Sequence, residues 1–375
     1  MPEPTAPEGD FDLDNVPPDP PVHHAEQALL GALLLDPHRL KTIGPLAPGH
    51  FASPAHGAVF AAMTGLTPPA PAAHIREPVW LTAVHDRARE QTPGLVPAYL
   101  HTLVSVCPVP EHAPAYARMV RADHARRTLR IRAEHLVQTT TEPTMPDPAA
   151  TALAGADALA GFLDHLAGQF PPHPGSLPRS PPPPPPERNG RDEAAYEERV
   201  LLAGAVAHPE VLSRMRWLHA DDFTVPLHGS LFRCVAQLAH RGAAVDPVTV
   251  LWEAQHHGLL LPPLTPREVL DLVTAPAGAA EHWGERVLRR SLLHQARTAG
   301  LRIHAYTDDP ANSVHQLVTG SRRALADLTA VRTRWHHQHS APQPPARRQA
   351  PENTLAARAG PLRTTAPAGT ARTTR

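Results

Sequence analysis

Two stretches of this 375-residue chain repeat one sequence pattern. A shift of 172 positions aligns more than forty residues without a gap, and many of the aligned residues are identical. The identical pairs include Glu26 with Glu198, Phe51 with Phe223, Pro54 with Pro226, His56 with His228, and Phe60 with Phe232. Because a duplicated sequence specifies a duplicated fold, the chain is predicted to contain two similar domains.

Each repeat has the apolar spacing of a small helical domain. Leu29, Leu30, Leu33 and Leu34 recur at intervals of three and four residues, which places them on one helix face. Asp-Pro pairs predict helix starts, since Asp accepts the free N–H groups of a first turn and Pro is tolerated there. Aromatic residues make up 4% of the chain, which does not favour a β-sandwich or barrel. The pairs read in this way are Asp36-Pro37, Asp147-Pro148, Asp246-Pro247 and Asp309-Pro310.

The ten residues that recur in the identical pairs are interpreted as structural. The phenylalanines supply bulk to two small cores, and each proline precedes a buried helix. For the two histidines we expect a hydrogen bond to a neighbouring backbone carbonyl, because no nucleophile accompanies either. These structural residues are Glu26, Phe51, Pro54, His56, Phe60, Glu198, Phe223, Pro226, His228 and Phe232.

Proline marks the boundary between the two repeats. Ten prolines lie between Phe170 and Pro186, and the run Pro181 to Pro186 predicts a polyproline II spacer. The fold class is therefore all-α, with two similar domains joined by a Pro-rich linker. The predicted segments are an acidic disordered N-terminus (1–20), the first domain (21–169), the linker (170–191), the second domain (192–335) and a disordered basic tail (336–375).

Two motifs resemble the N-terminal domain of DnaB-type replicative helicases. The run from Pro20 to Asp36 is similar to the leucine-rich first helix of that family, which follows an acidic residue and Gln. The run from Phe51 to Phe60 is similar to its second signature, and Asp222 to Phe232 repeats it. In the second repeat, Arg241-Gly242 and Val245 to Val250 extend the resemblance.

The resemblance implies that each repeat ends in a helical hairpin. The helices would be Tyr116–Val137 with Pro148–Leu166, and His282–His304 with Pro310–Leu328. In the family such hairpins serve self-association and contact with primase. We expect their apolar residues to form a contact between the two repeats or between chains, and the linker to keep the two domain cores separate.

The sequence departs from the family in three places. The Pro-rich segment Thr67 to Glu77 replaces a Gly-x-x-Val-Asp approach in the first repeat. Ala203-Gly204 stands where the first repeat has Gly31-Ala32. The RecA-type motor that follows this domain in the helicases is not found in these 375 residues.

The composition argues against catalysis and cofactors. Lys41 is the single lysine and follows Leu40, so a phosphate-binding G-x-x-x-x-G-K-S/T loop cannot be drawn. The histidine clusters lack Cys or acidic partners at ligand spacing, so no metal, cofactor or small-molecule substrate is expected. The first residues carry no signal peptide, and no apolar run is long enough for a membrane span, which favours a cytoplasmic protein.

Arginines are concentrated on the first helix of each predicted hairpin. A solvated helix face is one interpretation, while contact with phosphate or with an acidic partner are the others. The possible interaction residues are Arg118, Arg121, Arg126, Arg127, Arg130, Arg286, Arg289, Arg290 and Arg297.

The sequence therefore predicts a non-catalytic interaction scaffold associated with DNA replication. Its expected partners are a replicative helicase, a primase, or another copy of itself. One alternative is a DNA-binding accessory protein that uses the arginine-rich helices and the tail. Another is a remnant of a replicative helicase that has lost its motor.

Overall fold

The computed structural model of the protein describes residues 19–76, 79–142, 144–172, 191–276 and 278–339, and every regular element in these ranges is helical. The prediction of an all-α fold is confirmed. In the first repeat the helices are α1 (Pro21–Leu35), α2 (Pro54–Gly65), α3 (Pro71–Arg76), α4 (Val79–Arg89), α5 (Pro97–Ser105), α6 (Ala113–Thr141) and α7 (Pro148–Gln169). In the second repeat they are α8 (Arg191–Ala207), α9 (Pro226–His240), α10 (Pro247–His256), α11 (Pro266–Val273), α12 (Ala280–Asp308) and α13 (Val314–His339).

Three predicted segments lie largely outside the described residues: the acidic N-terminus up to residue 18, the linker from 173 to 190, and the tail from 340 onward. At the tail boundary, α13 continues to His339, four residues past the predicted end of the second domain. The last turn of α13 packs its Trp335 against the core of the second repeat, which explains why the helix continues.

The two repeats place equivalent helices in the same order. Helix α3 is an addition of the first repeat and lies in its Pro-rich insertion. In both repeats the phenylalanine pair packs in the same way, with ring centroids 5.1 Å apart for Phe51 and Phe60 and 5.1 Å for Phe223 and Phe232. Each repeat therefore forms a small globular head, which we call the first head (residues 19–112) and the second head (residues 191–279).

Asp-Pro pairs start helices at three of the four predicted places. Asp147 accepts a hydrogen bond of 3.1 Å from Ala150 N–H at the start of α7, and Asp246 accepts 2.8 Å and 2.9 Å bonds at the start of α10. Asp36 starts a short 3₁₀ turn. The prediction at Asp309 is wrong, because α13 begins at Val314, where Ser313 accepts a bond from Gln316 N–H.

The helices that follow the heads form two hairpins, α6 with α7 and α12 with α13. The hairpins pack against each other as a four-helix bundle, in which α6 runs antiparallel to α12 and α7 runs antiparallel to α13. Because of this direction, the turn of each hairpin reaches the base of the opposite head. The predicted contact between the repeats is therefore made within one chain.

The expectation that the linker keeps two cores separate is wrong. Leu136 of α6 and Leu153 of α7 belong to the same apolar cluster as Phe223 and Phe232 of the second head. The first head has an apolar cluster of its own, around Phe51 and Phe60. A third cluster lies in the bundle and contains residues of all four hairpin helices. The second head is thus continuous with the first hairpin.

Candidate interaction surface

The contact between α6 and α12 has the geometry of a two-fold interface. Ala133 of α6 and Gly300 of α12 occupy equivalent positions of the two repeats, 167 residues apart, because at this shift the buried residues of α6 fall on buried residues of α12. A Cβ atom on Gly300 would lie 3.1 Å from the carbonyl oxygen of Ala133, so these two residues meet. Val137 lies against Gly300, and its equivalent His304 contacts Glu134, next to Ala133. In a two-fold contact, equivalent residues meet at the axis, so the repeats pack as the two halves of an isologous dimer would.

Close approach of the two helices depends on Gly300. A Cβ atom at this position would lie 2.7 Å from Cγ2 of Val137 and 3.1 Å from the carbonyl oxygen of Ala133. These distances are shorter than ordinary van der Waals contacts. The absence of a side chain at residue 300 therefore sets the spacing of α6 and α12.

Arg126 connects the first hairpin to the turn of the second. Its guanidinium donates hydrogen bonds to the carbonyl oxygens of Thr307 at 2.9 Å and Asp309 at 2.8 Å, and also to those of Pro310 and Asn312. The last carbonyls of a helix lack partners within the helix and carry partial negative charge. Arg126 supplies both donors and positive charge to the end of α12, while burial lowers its pKa.

Ion pairs border the apolar contact on two sides. Between α6 and α12, Arg130 lies 2.8 Å from Asp308, and Glu134 lies 3.1 Å from His304. Hydrogen bonds from Arg130 and His304 lower the pKa of the Glu134 carboxyl, which is at the surface. Between α7 and α13, Asp164 pairs with Arg322 at 2.5 Å, and Asp157 pairs with Arg332. Surface pairs of this kind contribute little energy singly, but they fix the register of the antiparallel helices.

A shallow cavity of about 260 Å³ lies between α7 and α13, where the two helices diverge slightly. Its wall is formed by Ala156 and Ala160 on one side and by Leu325 and Leu328 on the other. The ion pairs of Asp164 and Asp157 border it. The cavity belongs to the bundle contact, because small side chains on α7 face larger ones on α13.

Each head contains a buried Glu–His pair that links its first two helices. Nδ1 of His56 lies 2.6 Å from Oε2 of Glu26, and Nδ1 of His228 lies 2.8 Å from Oε2 of Glu198. The expected backbone carbonyl partner of these histidines is therefore wrong, and the partner is a carboxylate. Each carboxylate also accepts two backbone N–H groups just ahead of α2 or α9, in which Pro54 and Pro226 are the first residues.

The carboxylates act as external caps for these helices. Glu26 accepts from Ala52 N–H at 2.5 Å, and Glu198 accepts from Thr224 N–H at 2.6 Å. Negative charge at a helix N-terminus is favourable, and the backbone donors would otherwise be unsatisfied. The first head adds a hydrogen bond of 2.6 Å between Nε2 of His56 and the hydroxyl of Tyr99. Each pair thus joins the first helix of its head to the start of the next helix.

The model described as DnaB-like helicase N terminal domain matches residues 19–122 and residues 192–285 of the chain. The chain belongs to this family. The matched ranges contain the two heads and end within α6 and α12, so most of the bundle lies beyond them. No ATPase-domain family is found in the chain. No curated protein matches the chain, and no solved structure does.

Most of the arginines that flank these DnaB-type heads make contacts within the chain. In the first repeat, Arg121 donates to Ile43 O at 2.8 Å and Arg127 donates to His50 O at 2.8 Å. In the second, Arg286 and Arg290 both pair with the buried Glu197 of α8. These side chains hold the hairpin helices to the heads.

The remaining predicted arginines are more accessible. Arg118 and Arg289 are exposed and make no hydrogen bond or ion pair with the described residues, and Arg297 is half-buried on α12. Sequence reasoning gave no role to Arg334, which pairs with Asp222 of the second head and donates to Trp217 O at 3.1 Å. An Arg that faces an acidic residue 112 positions away carries no local signal in the sequence.

Neither a metal site nor a membrane span is apparent in the described ranges. No group of three or more His, Cys, Asp or Glu side chains is arranged there to hold a metal ion. None of the helices in these ranges is long and apolar enough to cross a membrane.

Proposed function

We propose that the protein is a non-catalytic scaffold that presents two DnaB-type heads at opposite ends of one helical bundle. It would act in the cytoplasm in association with DNA replication, through contact with a replicative helicase or a primase. The observation that carries the proposal is the contact between the equivalent residues Ala133 and Gly300, where α6 and α12 cross with the geometry of a two-fold interface. The family uses its hairpins for association, and in this chain each hairpin meets the other repeat.

Internal pairing changes what remains available to a partner. A tether keeps the second repeat at an effective concentration of about 1 mM near the first, so another chain competes poorly for the same surface. Most large apolar side chains of the hairpins are buried in the described structure, although Met119 and Ile131 of α6 stay exposed. We therefore favour heterologous partners, bound by the heads or the outer bundle surface, over further self-association through the hairpins.

The absence of catalysis is part of the proposal. Its support is the lack of any Gly-Lys pair in a sequence whose one lysine is Lys41. A purified sample should therefore show no ATP hydrolysis above buffer. Hydrolysis that co-purifies with the chain and is lost when the chain is mutated would overturn this part.

Binding to purified partners tests the scaffold directly. The full chain is immobilised, and the host's replicative helicase and primase are added separately at up to about 50 μM, where contacts of about −6 kcal/mol are detectable. The proposal expects saturable binding of at least one of them. Binding of neither would contradict it.

The DNA-binding alternative rests on the exposed Arg118 and Arg289. It predicts an affinity that falls steeply with salt, since phosphate contacts release counterions. The double variant Arg118→Gln, Arg289→Gln should then bind DNA more weakly than the natural chain. The internal contacts of Arg121, Arg126, Arg127, Arg130, Arg286 and Arg290 leave few arginines for this role.

A further inference from the structure

Four basic side chains lie where the first head meets α6, one from the head and three from the helix. The rings of His50 and His124 stack with centroids 4.4 Å apart, and the guanidinium of Arg127 donates to His50 O at 2.8 Å. Besides burial, the charge of Arg121 lowers the pKa of His50, and the charge of the exposed Arg118 lowers the pKa of Arg121. We call His50, His124, Arg118 and Arg121 the basic cluster.

The second head shows what balances the charge at the equivalent place. In the second head, Arg334 donates to Trp217 O at 3.1 Å. The equivalent carbonyl of the first head, Pro45 O, stands 172 positions earlier and accepts from Arg121 at 3.3 Å. Arg334 is also held by Asp222, which is buried and accepts a further bond from Ser291. In the second head, the guanidinium that donates to Trp217 O is thus also paired with the carboxylate of Asp222.

The first head has replaced that carboxylate with a second basic group. His50 stands 172 positions before Asp222, and His124 of α6 stands where α12 has Ser291, so the stacked imidazoles replace the bond between Ser291 and Asp222. No carboxylate of the described residues pairs with Arg121. Asp123, the nearest acidic residue of α6, is engaged with Arg127 at 2.7 Å. The position therefore has a guanidinium and two imidazoles but lacks the anion that its counterpart contains.

The electrostatics of the cluster agree with a missing anion. Burial, and then the charges of Arg121 and Arg127, lower the pKa of His50. Burial, His50 and Arg127 lower the pKa of His124, against a smaller raising effect of Asp123. Burial and the charge of Arg118 lower the pKa of Arg121. A carboxylate placed here would offset these repulsions.

The chain carries a suitable anion close by. Residues 1–18 contain five carboxylates (Glu3, Glu8, Asp10, Asp12 and Asp14) and no basic side chain. They connect to α1, whose His23 ring lies 4.9 Å from the ring of His56. His50 precedes His56 by six residues, at most about 20 Å, whereas eighteen residues can span about 60 Å.

We propose that the acidic segment 1–18 binds the basic cluster of the first head through its carboxylates, and so takes the place that Asp222 occupies in the second head. The segment carries the negative charge that the cluster lacks, and it is long enough to reach the cluster. Phosphate of a nucleic acid has similar charge, and the test separates the two. The proposal does not depend on the identity of the helicase or primase partner.

The test is an NMR titration of the full chain and of a variant with Asp10→Asn, Asp12→Asn and Asp14→Asn. A carboxylate beside an imidazole favours its charged form, so at about 20 mM salt the pKa values of His50 and His124 should be higher in the natural chain by about half a pH unit. The difference should vanish at about 500 mM salt, because exposed pairs are screened. The exposed His294, on α12 of the second repeat, serves as the control and should not change.

A second variant supplies the missing carboxylate internally. His50→Asp gives the first head the residue of the second, so the Asn substitutions should no longer shift the pKa of His124. Equal pKa values in the natural chain and the Asn variant at low salt would overturn the proposal. It would also be overturned if a short DNA duplex shifted both pKa values in the Asn variant while the carboxylates of residues 1–18 had no effect.

Discussion

The guanidinium of Arg126 donates a hydrogen bond of 2.8 Å to the carbonyl oxygen of Asp309, 183 residues further along the chain. This bond joins the base of the first hairpin to the turn of the second. It also ends α12 with a positive charge, which the helix dipole favours. The contact occurs on one side of the bundle only, because the second repeat has Leu293 at the position equivalent to Arg126.

Replacement of Arg126 with Ala should lower the free energy of unfolding by about 2 to 3 kcal/mol, since several half-buried carbonyl groups lose a charged donor. Urea unfolding followed by circular dichroism measures the change. The matched control is Arg118→Ala, on the same helix but exposed, which should cost less than about 0.5 kcal/mol. Equal effects of the two substitutions would show that the contact of Arg126 is not important for stability.

The phenylalanines of the two heads should have different effects on the rest of the molecule. Phe51→Ala and Phe223→Ala should each cost about 3 to 5 kcal/mol. The cluster of Phe51 reaches only the first turns of α6, whereas the cluster of Phe223 includes Leu136 of α6 and residues of α7 from the other repeat. Loss of helical circular dichroism should therefore be larger for Phe223→Ala. An equal loss of half the signal from each would indicate two separate cores.

A pair of glycine substitutions tests the spacing of α6 and α12. Gly300→Ala should destabilise the protein by about 1 to 3 kcal/mol, because the new Cβ would overlap Val137 and Ala133. Gly161→Ala, in the exposed middle of α7, has open space at its Cβ and should stabilise by about 0.5 to 1 kcal/mol. Thermal unfolding of both variants gives the sign of each effect. Stabilisation by Gly300→Ala would contradict the close contact.

Cys234 should react slowly while the second head is folded. Its thiol is buried, and burial raises its pKa to about 11. At pH 8 the reactive thiolate is then at least about 100-fold scarcer than in an unfolded chain. Alkylation with iodoacetamide, followed by mass spectrometry, should label Cys234 in urea but hardly at all in buffer. Rapid labelling in buffer would mean that α9 is not packed as described.

The fold could largely be predicted because the sequence contains two copies of one helical pattern. Glu26 and His56 have the same separation as Glu198 and His228, so the repeat contains the signal for both buried pairs. The prediction nevertheless gave the histidines a backbone carbonyl as partner instead of the carboxylate. The helix start at Asp309 could not be predicted correctly. Arg126, which is distant in sequence, donates hydrogen bonds to the carbonyl oxygens of Asp309, Pro310 and Asn312. The chain therefore stays in a turn until Ser313 caps α13.

The roles of the arginines were hidden for a similar reason. A basic helix face reads the same in the sequence whether solvent, DNA or another helix lies opposite. The structure places Asp308 opposite Arg130 and Glu197 opposite Arg290, and neither partner is near in sequence. Such contacts depend on the packing of the hairpins, which the helix pattern alone does not determine.

Pulsed electron spin resonance tests the internal pairing of the repeats most directly. Spin labels are placed at Asp164→Cys and Arg322→Cys in a full chain that also carries Cys107→Ser and Cys234→Ala. Because the two helices pack side by side, the expected result is one narrow distance below about 20 Å that does not change when labelled protein is diluted tenfold with unlabelled protein. A broad, long distance, or a short one that disappears on dilution, would contradict a bundle formed within one chain.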